Sequence, residues 1–314
     1  MPQHHDPGQL TPPKQAALPV PPSQDGQSKA ILMLCAASLI FAAQDGISRH
    51  LGANYSPIFV VMLRYWFFAI FVTLLVSRQP GGLQRAIRTK RPLTQIARGV
   101  ILVFEVVVTV EAFVRLGLIN THAIFSCYPL LIVALSGPLL GEKIGWRRWA
   151  AVGVGFIGIL IVLQPGRGIL TVEAGLPFLG AAMFAVYSLL TRHVARDDPA
   201  MVSFFWTGIT GVIAITLVGL REWEPIAAAD IPWLLLLCMT ACTAHYLLIR
   251  SYELAEASAL QPFSYTQLVW ISIFGVTIFG ETLAPHVALG GSIVVGAGLF
   301  TWWRSRVREK AGAR

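Results

Sequence analysis

Ten runs of roughly 20 apolar residues recur along the chain, at 30–50, 57–77, 95–115, 120–140, 148–164, 174–193, 200–219, 231–250, 257–279 and 285–303. Each is long enough, as a helix, to cross a hydrocarbon core of about 30 Å. Helices are the form such runs must take, because an open strand edge leaves its backbone groups unsatisfied in lipid. Composition agrees: 55% of the 314 residues are hydrophobic and 13% charged, where a soluble domain carries about 25% charged residues. The expected fold is an all-α integral membrane protein with ten transmembrane helices in a lipid bilayer.

The net charge of +8 invites a nucleic-acid reading, but the placement of the basic residues excludes it. With the N-terminus in the cytoplasm, the cytoplasmic segments hold Lys14, Lys29, Arg78, Arg85, Arg88, Lys90, Arg91, Lys143, Arg147, Arg148, Arg192, Arg196, Arg250, Arg304, Arg306, Arg308, Lys310 and Arg314. The opposite loops hold Arg167 and Arg221 alone. That asymmetry is a positive-inside pattern. It predicts a multi-pass protein of the cytoplasmic (inner) membrane with both termini cytoplasmic, and no nucleic-acid partner.

Residues 1–29 read as a disordered, Pro- and Gln-rich cytoplasmic tail without the apolar core of a cleavable signal, so the first span is expected to serve as an uncleaved anchor. Residues 304–314 read as a basic cytoplasmic tail. The four cysteines, Cys35, Cys127, Cys238 and Cys242, fall within spans and form no Cys-x-x-Cys pair. They read as packing residues, and no metal or cofactor is expected.

The chain repeats itself. FAAQDGISRH (41–50) recurs in frame as FAVYSLLTRH (184–193), without the aspartate. LLGEKIGWRRWAAVGVGFIGILIV (139–162) and IFGETLAPHVALGGSIVVGAGLF (278–300) share a Gly-Glu corner followed by a Gly-rich span. Spans two and seven both begin at a proline, Pro57 and Pro199. Residues 30–165 and 174–303 are therefore expected to be two five-helix repeats. Five is odd, so the second enters the membrane from the opposite side, an inverted plan common in secondary transporters.

The Gly-Glu corners with their Gly-rich spans resemble the EamA domain of the drug/metabolite transporter superfamily, and ten spans resemble its ten-helix branch. RYWFF (64–68), GWRRWAAVGVGFIGILIVLQP (145–165) and PFSYTQLVWISIFGVTIFGE (262–281) are most similar to the subgroup that includes S-adenosylmethionine carriers. The resemblance implies a transporter of amino-acid-like, nucleoside-like or vitamin-like molecules, with spans one, three, four, six, eight and nine lining its cavity.

Ionisable residues inside spans are costly and mark candidate sites. Asp45 reads as a substrate or proton site, or as half of a structural pair with Arg49 one turn on. Arg64, in span two, ties to Asp45 or Glu105 across helices or meets an anionic substrate group. Glu105 sits mid-span with no cation within a turn, so it must be neutral, paired across helices or poised to titrate. Glu111 and Arg115 form another pair one turn apart, and Arg98 reads as an anchor near the cytoplasmic surface. His245 falls one residue from the position equivalent to Glu105 and suits proton handling. Pro129 and Pro262 break spans four and nine, and Tyr128, Tyr265, Gln267 and Trp270 add a polar, aromatic wall. Glycines of spans five and ten favour close helix packing, within the chain or in a homodimer.

The expected function is secondary transport of a small organic molecule by alternating access, with protons as the coupling ion. A non-transporting scaffold or receptor, or an intramembrane enzyme, is the alternative. The sequence lacks the HExxH metal set and the Gly-Lys-Ser/Thr phosphate loop, which argues against hydrolysis and ATP-driven pumping.

Overall fold

The computed structural model describes residues 24–141, 145–163 and 172–312, and among them every regular element is helical. The helices are α1 (Gln24–Gly52), α2 (Pro57–Ser77), α3 (Gly82–Ile87), α4 (Pro92–Leu116), α5 (Leu118–Phe125), α6 (Tyr128–Leu140) and α7 (Trp146–Leu163). They continue as α8 (Gly175–Val194), α9 (Ala200–Gly219), α10 (Ile231–Leu254), α11 (Ala257–Ser264), α12 (Thr266–Phe279) and α13 (Pro285–Gly312). At the ends of the chain, α1 starts ahead of its apolar run and α13 runs on through the basic segment from 304.

Among the described residues, seven segments are long and apolar enough to cross a membrane: Gly26–Gly52, Pro57–Ser77, Leu118–Leu140, Gly175–Val194, Ala200–Glu222, Ala228–Leu254 and Ala259–Phe279. The apolar stretches of α7 and α13 are shorter, Trp149–Val162 and Pro285–Ala297. With 25 residues α4 is long enough, but it carries Arg98, Glu105, Glu111 and Arg115, which dilute its apolar character.

The molecule is turned out relative to a water-soluble one. Leu32, Ile70, Leu74, Ile213, Leu217, Ile278 and Leu289 stand more than half exposed, while Arg64, Gln95, Arg98, Glu105 and His245 are buried. So large an apolar exterior is a liability in water and the natural face toward lipid. Exposed Trp146 and Trp149 at the start of α7, and Trp223 and Trp233 around the start of α10, are the residues that favour the membrane–water interface.

Helix pairs build the interior. α1 packs along α10, α4 along α8, α2 along α9, α7 along α13, and α6 against α11, with α12 closing against α1 and α5. Small residues allow the closest approaches. A Cβ on Gly158 would lie 2.8 Å from the Gly290 carbonyl oxygen, and one on Gly290 would lie 2.5 Å from that of Gly158. The glycine packing read from the sequence is thus used inside the chain, between α7 and α13. Cys127, Cys238 and Cys242 are buried free thiols.

Two expected crossings are broken. The fourth divides into α5 and α6 at Ser126–Cys127, with Pro129 in the first turn of α6, where its missing N–H costs nothing. The ninth divides into α11 and α12 at Tyr265. The side chain of Pro262 and the whole of Glu142, half of one Gly-Glu corner, lie outside the described residues.

Candidate functional site

A cavity of about 50 Å³ lies among α1, α2, α4, α5, α8, α10 and α12. Its polar wall is Gln44, Asp45 and Ser48 of α1, Arg64 of α2, Glu105 and Thr109 of α4, His122 of α5, His245 of α10 and Gln267 of α12. Phe41, Phe113, Phe125 and Phe184 supply its aromatic surface. The helices named by the resemblance all contribute, and α2 joins them through Arg64.

Helical spacing explains who reaches this space. Phe41, Gln44, Asp45 and Ser48 are three or four apart, so they share one face of α1, and Glu105 and Thr109 share one face of α4. Asp45 is held across the bundle: its Oδ2 accepts from His122 Nε2 at 3.0 Å and from Gln267 Nε2 at 3.1 Å. The His122 ring stacks on Phe113 with 5.2 Å between centroids and meets Phe125 edge-on at 5.7 Å, which fixes its plane. Glu105 Oε1 accepts from the Thr109 hydroxyl at 2.8 Å. His245 Nδ1 lies 3.0 Å from the Ala241 carbonyl oxygen. A carbonyl only accepts, so Nδ1 carries the proton and Nε2 of the neutral ring is left as an acceptor.

Asp45 does not pair with Arg49. Arg49 instead forms an ion pair with Glu281 and lies over the Phe279 ring at 4.6 Å. The reason is local. Gly280 takes the left-handed conformation at φ +63° that ends α12, and the turn carries the Glu281 carboxylate to the start of α5. There it accepts from the backbone N–H groups of Leu118 and Ile119, both at 2.8 Å, the donors a helix start leaves unpaired. Gly117, at φ +80°, makes room: a Cβ there would stand 2.8 Å from Glu281 Oε1. The Gly-Glu corner is a device that stitches α12, α5 and α1 together. Gly141 ends α6 in the same left-handed conformation, at φ +71°.

Five of the residues read from the sequence therefore meet in the cavity: Asp45, Arg64, Glu105, His245 and Gln267. Five do not. Arg49 belongs to the Glu281 knot. Glu111 pairs with Arg115 at 2.6 Å in a partly exposed site. Tyr128 packs behind the wall, 5.1 Å from Phe125 and 4.9 Å from Phe184. Tyr265 is buried outside the lining, and Trp270 packs on the main apolar core.

One further expectation needs correction. Arg98 is no surface anchor: it is fully buried, bonding Gln95 Oε1 at 3.0 Å, the Ser203 carbonyl at 2.7 Å and Thr207 Oγ1 at 2.6 Å. Gln95 passes the network to Asp198 at 2.9 Å, which also accepts from Thr89 and from Lys90 N–H. Beside it, Arg91 bonds Asp197 at 2.6 Å and holds that carboxyl below its usual range. On α8, Arg192 donates to the Tyr252 carbonyl oxygen at 2.8 Å.

Gln44, Ser48, Thr109 and His122 are the polar lining residues that sequence reasoning missed, together with the phenylalanines. The available pointer to His122 was its position between Gly117 and Pro129, which cut α5 into a half-helix. Among the described residues no three His, Cys, Asp or Glu side chains converge as metal ligands would.

The model of the EamA-like transporter family matches residues 28–164 and again 171–303. The chain belongs to that family. Membership makes it a multi-pass membrane transporter and not an enzyme. It is 23% identical over 256 residues to a protein named S-adenosylmethionine uptake transporter from Rickettsia prowazekii (strain Madrid E), covering 82% of this chain and 86% of that protein. It is 27% identical over 273 residues to one named riboflavin transporter from Brucella anthropi, covering 85% and 96%. A crystal structure of another protein superposes with a TM-score of 0.68 at 19% identity, covering 89% of this chain and 99% of that one. It shares the fold of this transporter.

Proposed function

We propose that the transporter carries a small organic metabolite by alternating access, with the cavity around Asp45 and Glu105 as its substrate site. The observation that carries this reading is the cavity itself. Two carboxylates, two imidazoles and a guanidinium converge from five helices inside a bundle whose exterior is apolar. Each charged group costs about 2.5–3.5 kcal/mol to place in a span, an expense that packing alone does not explain. The names of the relatives favour a metabolite bearing a planar heterocycle, and four phenylalanines offer it surface.

In this reading the chain crosses the inner membrane ten times, as two inverted halves over 30–165 and 174–303. The two family matches support it. So does the packing: an axis relating the halves exchanges the α1–α10 contact with the α8–α4 contact and the α6–α11 contact with the α12–α5 contact, and maps α2–α9 and α7–α13 onto themselves. The basic bias sets both termini in the cytoplasm. The Arg49–Glu281 knot then lies on the periplasmic side, one turn from Asp45, where it closes the outer mouth. Protons are the coupling ion, with Glu105 as carrier and His245 available to share the charge.

Purified protein in liposomes tests this reading, with labelled S-adenosylmethionine, riboflavin, amino acids and nucleosides offered with and without a pH gradient. At least one compound is expected to enter faster than into empty liposomes and to respond to the gradient. No flux of any of them above background contradicts transport through this cavity.

A further inference from the structure

We propose that Arg64 binds an anionic group of the transported molecule and so selects carboxylate-bearing substrates. The inference deepens the transport reading above and rests on it.

Arg64 is 2% exposed and lines the cavity. Among the described residues its Nε has no hydrogen-bond acceptor and no carboxylate lies within ion-pair distance of its guanidinium. The two carboxylates sharing the cavity accept hydrogen bonds from other groups, Asp45 from His122 and Gln267, and Glu105 from Thr109. Arg98 shows what a structural buried arginine looks like in this protein, with acceptors from Gln95, Ser203 and Thr207 around its guanidinium. Arg64 has the same burial without the acceptors. A buried charge left without a counter-ion is strongly unfavourable, and it faces the space where a substrate would sit.

A second observation points to the same ligand. Gln44 Oε1, buried in the same cavity, also lacks a partner. One wall thus offers a fork of donors, the geometry that matches a carboxylate in two parallel hydrogen bonds, and another offers an acceptor for an N–H or O–H. Asp45 supplies negative charge for a cationic group on the same molecule. The class that satisfies all of these is an amphoteric metabolite with a carboxylate and an amine, joined to a ring that the phenylalanines can cover.

Uptake into proteoliposomes by wild type, Arg64→Gln and Arg64→Lys tests the assignment, with S-adenosylmethionine, its decarboxylated form and carboxylate-free riboflavin as probes. Wild type is expected to prefer S-adenosylmethionine over the decarboxylated form by about 10- to 100-fold, the scale on which a buried polar group rejects a ligand lacking its partner. In Arg64→Gln that ratio collapses toward 1, and Arg64→Lys restores part of it. The thermal midpoint of Arg64→Gln stays level or rises, because an unpaired buried charge has been removed. Equal uptake of both probes by wild type overturns the assignment. So does an unchanged ratio in Arg64→Gln, or a uniform loss together with a lowered midpoint, which marks a structural tie. Riboflavin flux without S-adenosylmethionine flux overturns the Arg64 assignment while the transport reading stands. No flux of any compound removes the transport reading, and this inference with it.

Discussion

Glu105→Gln is expected to abolish accumulation driven by a pH gradient while exchange of substrate at equal concentrations continues. Glu105 is 4% exposed at the middle of α4 and takes its hydrogen bond from Thr109. Glutamine keeps the shape, and its amide oxygen still accepts from that hydroxyl, so the wall remains intact. What it cannot do is gain and lose a proton as the cavity faces one side and then the other. Accumulation should therefore fall to the level of empty liposomes, and counterflow should stay within about twofold, as for a conservative change that leaves packing unaltered. Asp45→Asn separates the two carboxylates. Asparagine can still offer a carbonyl oxygen to the donors of His122 and Gln267, but it loses the negative charge that faces a cationic group, so affinity falls along with coupling. Accumulation by Glu105→Gln equal to wild type at every gradient contradicts the assignment; uncoupling by Asp45→Asn alone moves the proton to Asp45.

The second large effect is expected at the Arg49–Glu281 knot. Glu281→Ala strips the acceptor from Arg49 and from the amides of Leu118 and Ile119 together. Breaking a fully buried pair costs about 3–5 kcal/mol. These side chains keep 24% and 14% of their surface exposed, so about 2–4 kcal/mol is the expected loss. The thermal midpoint should drop, and the outer mouth should open more often, raising exchange at that face while accumulation falls. A double-mutant cycle with Arg49→Met checks the cause. Coupling of about 1 kcal/mol or more is expected; strict additivity would mean that the pair holds nothing shut.

Much of this arrangement was legible in the sequence, for physical reasons that can be named. Hydrophobic runs located helices and pointed to the membrane, because lipid imposes their length and apolar character. Depth within a span picked out Glu105, Arg64 and His245, since a charge in hydrocarbon is expensive enough to require a purpose. The Gly-Glu corner was visible as a motif, but its work as a cap on α5 was not, because Leu118 and Ile119 lie 163 and 162 positions from Glu281. The partner offered for Asp45 was wrong for the same reason. A sequence always offers a partner four residues on, here Arg49, and it conceals one 77 residues away, here His122. Arg98 was taken for an anchor because its neutral acceptors come mainly from α9, and neutral acceptors leave no charge pattern to read. Tyr265 and Trp270 shared a span with Gln267, and which face of α12 meets the cavity was set by how the broken helix lies against α1.

Side-specific labelling of Ser48→Cys, with Cys35, Cys127, Cys238 and Cys242 replaced by alanine, tests the central claim most directly. Ser48 lines the cavity one turn from Asp45 and is 1% exposed, so a membrane-impermeant thiol reagent can reach that position only through an open mouth. The account predicts labelling from the periplasmic face and, in separate experiments, from the cytoplasmic face, with both slowed by whichever compound the liposome assay shows to be carried. Labelling from one face under every condition, or at a rate that the carried compound leaves unchanged, would contradict it.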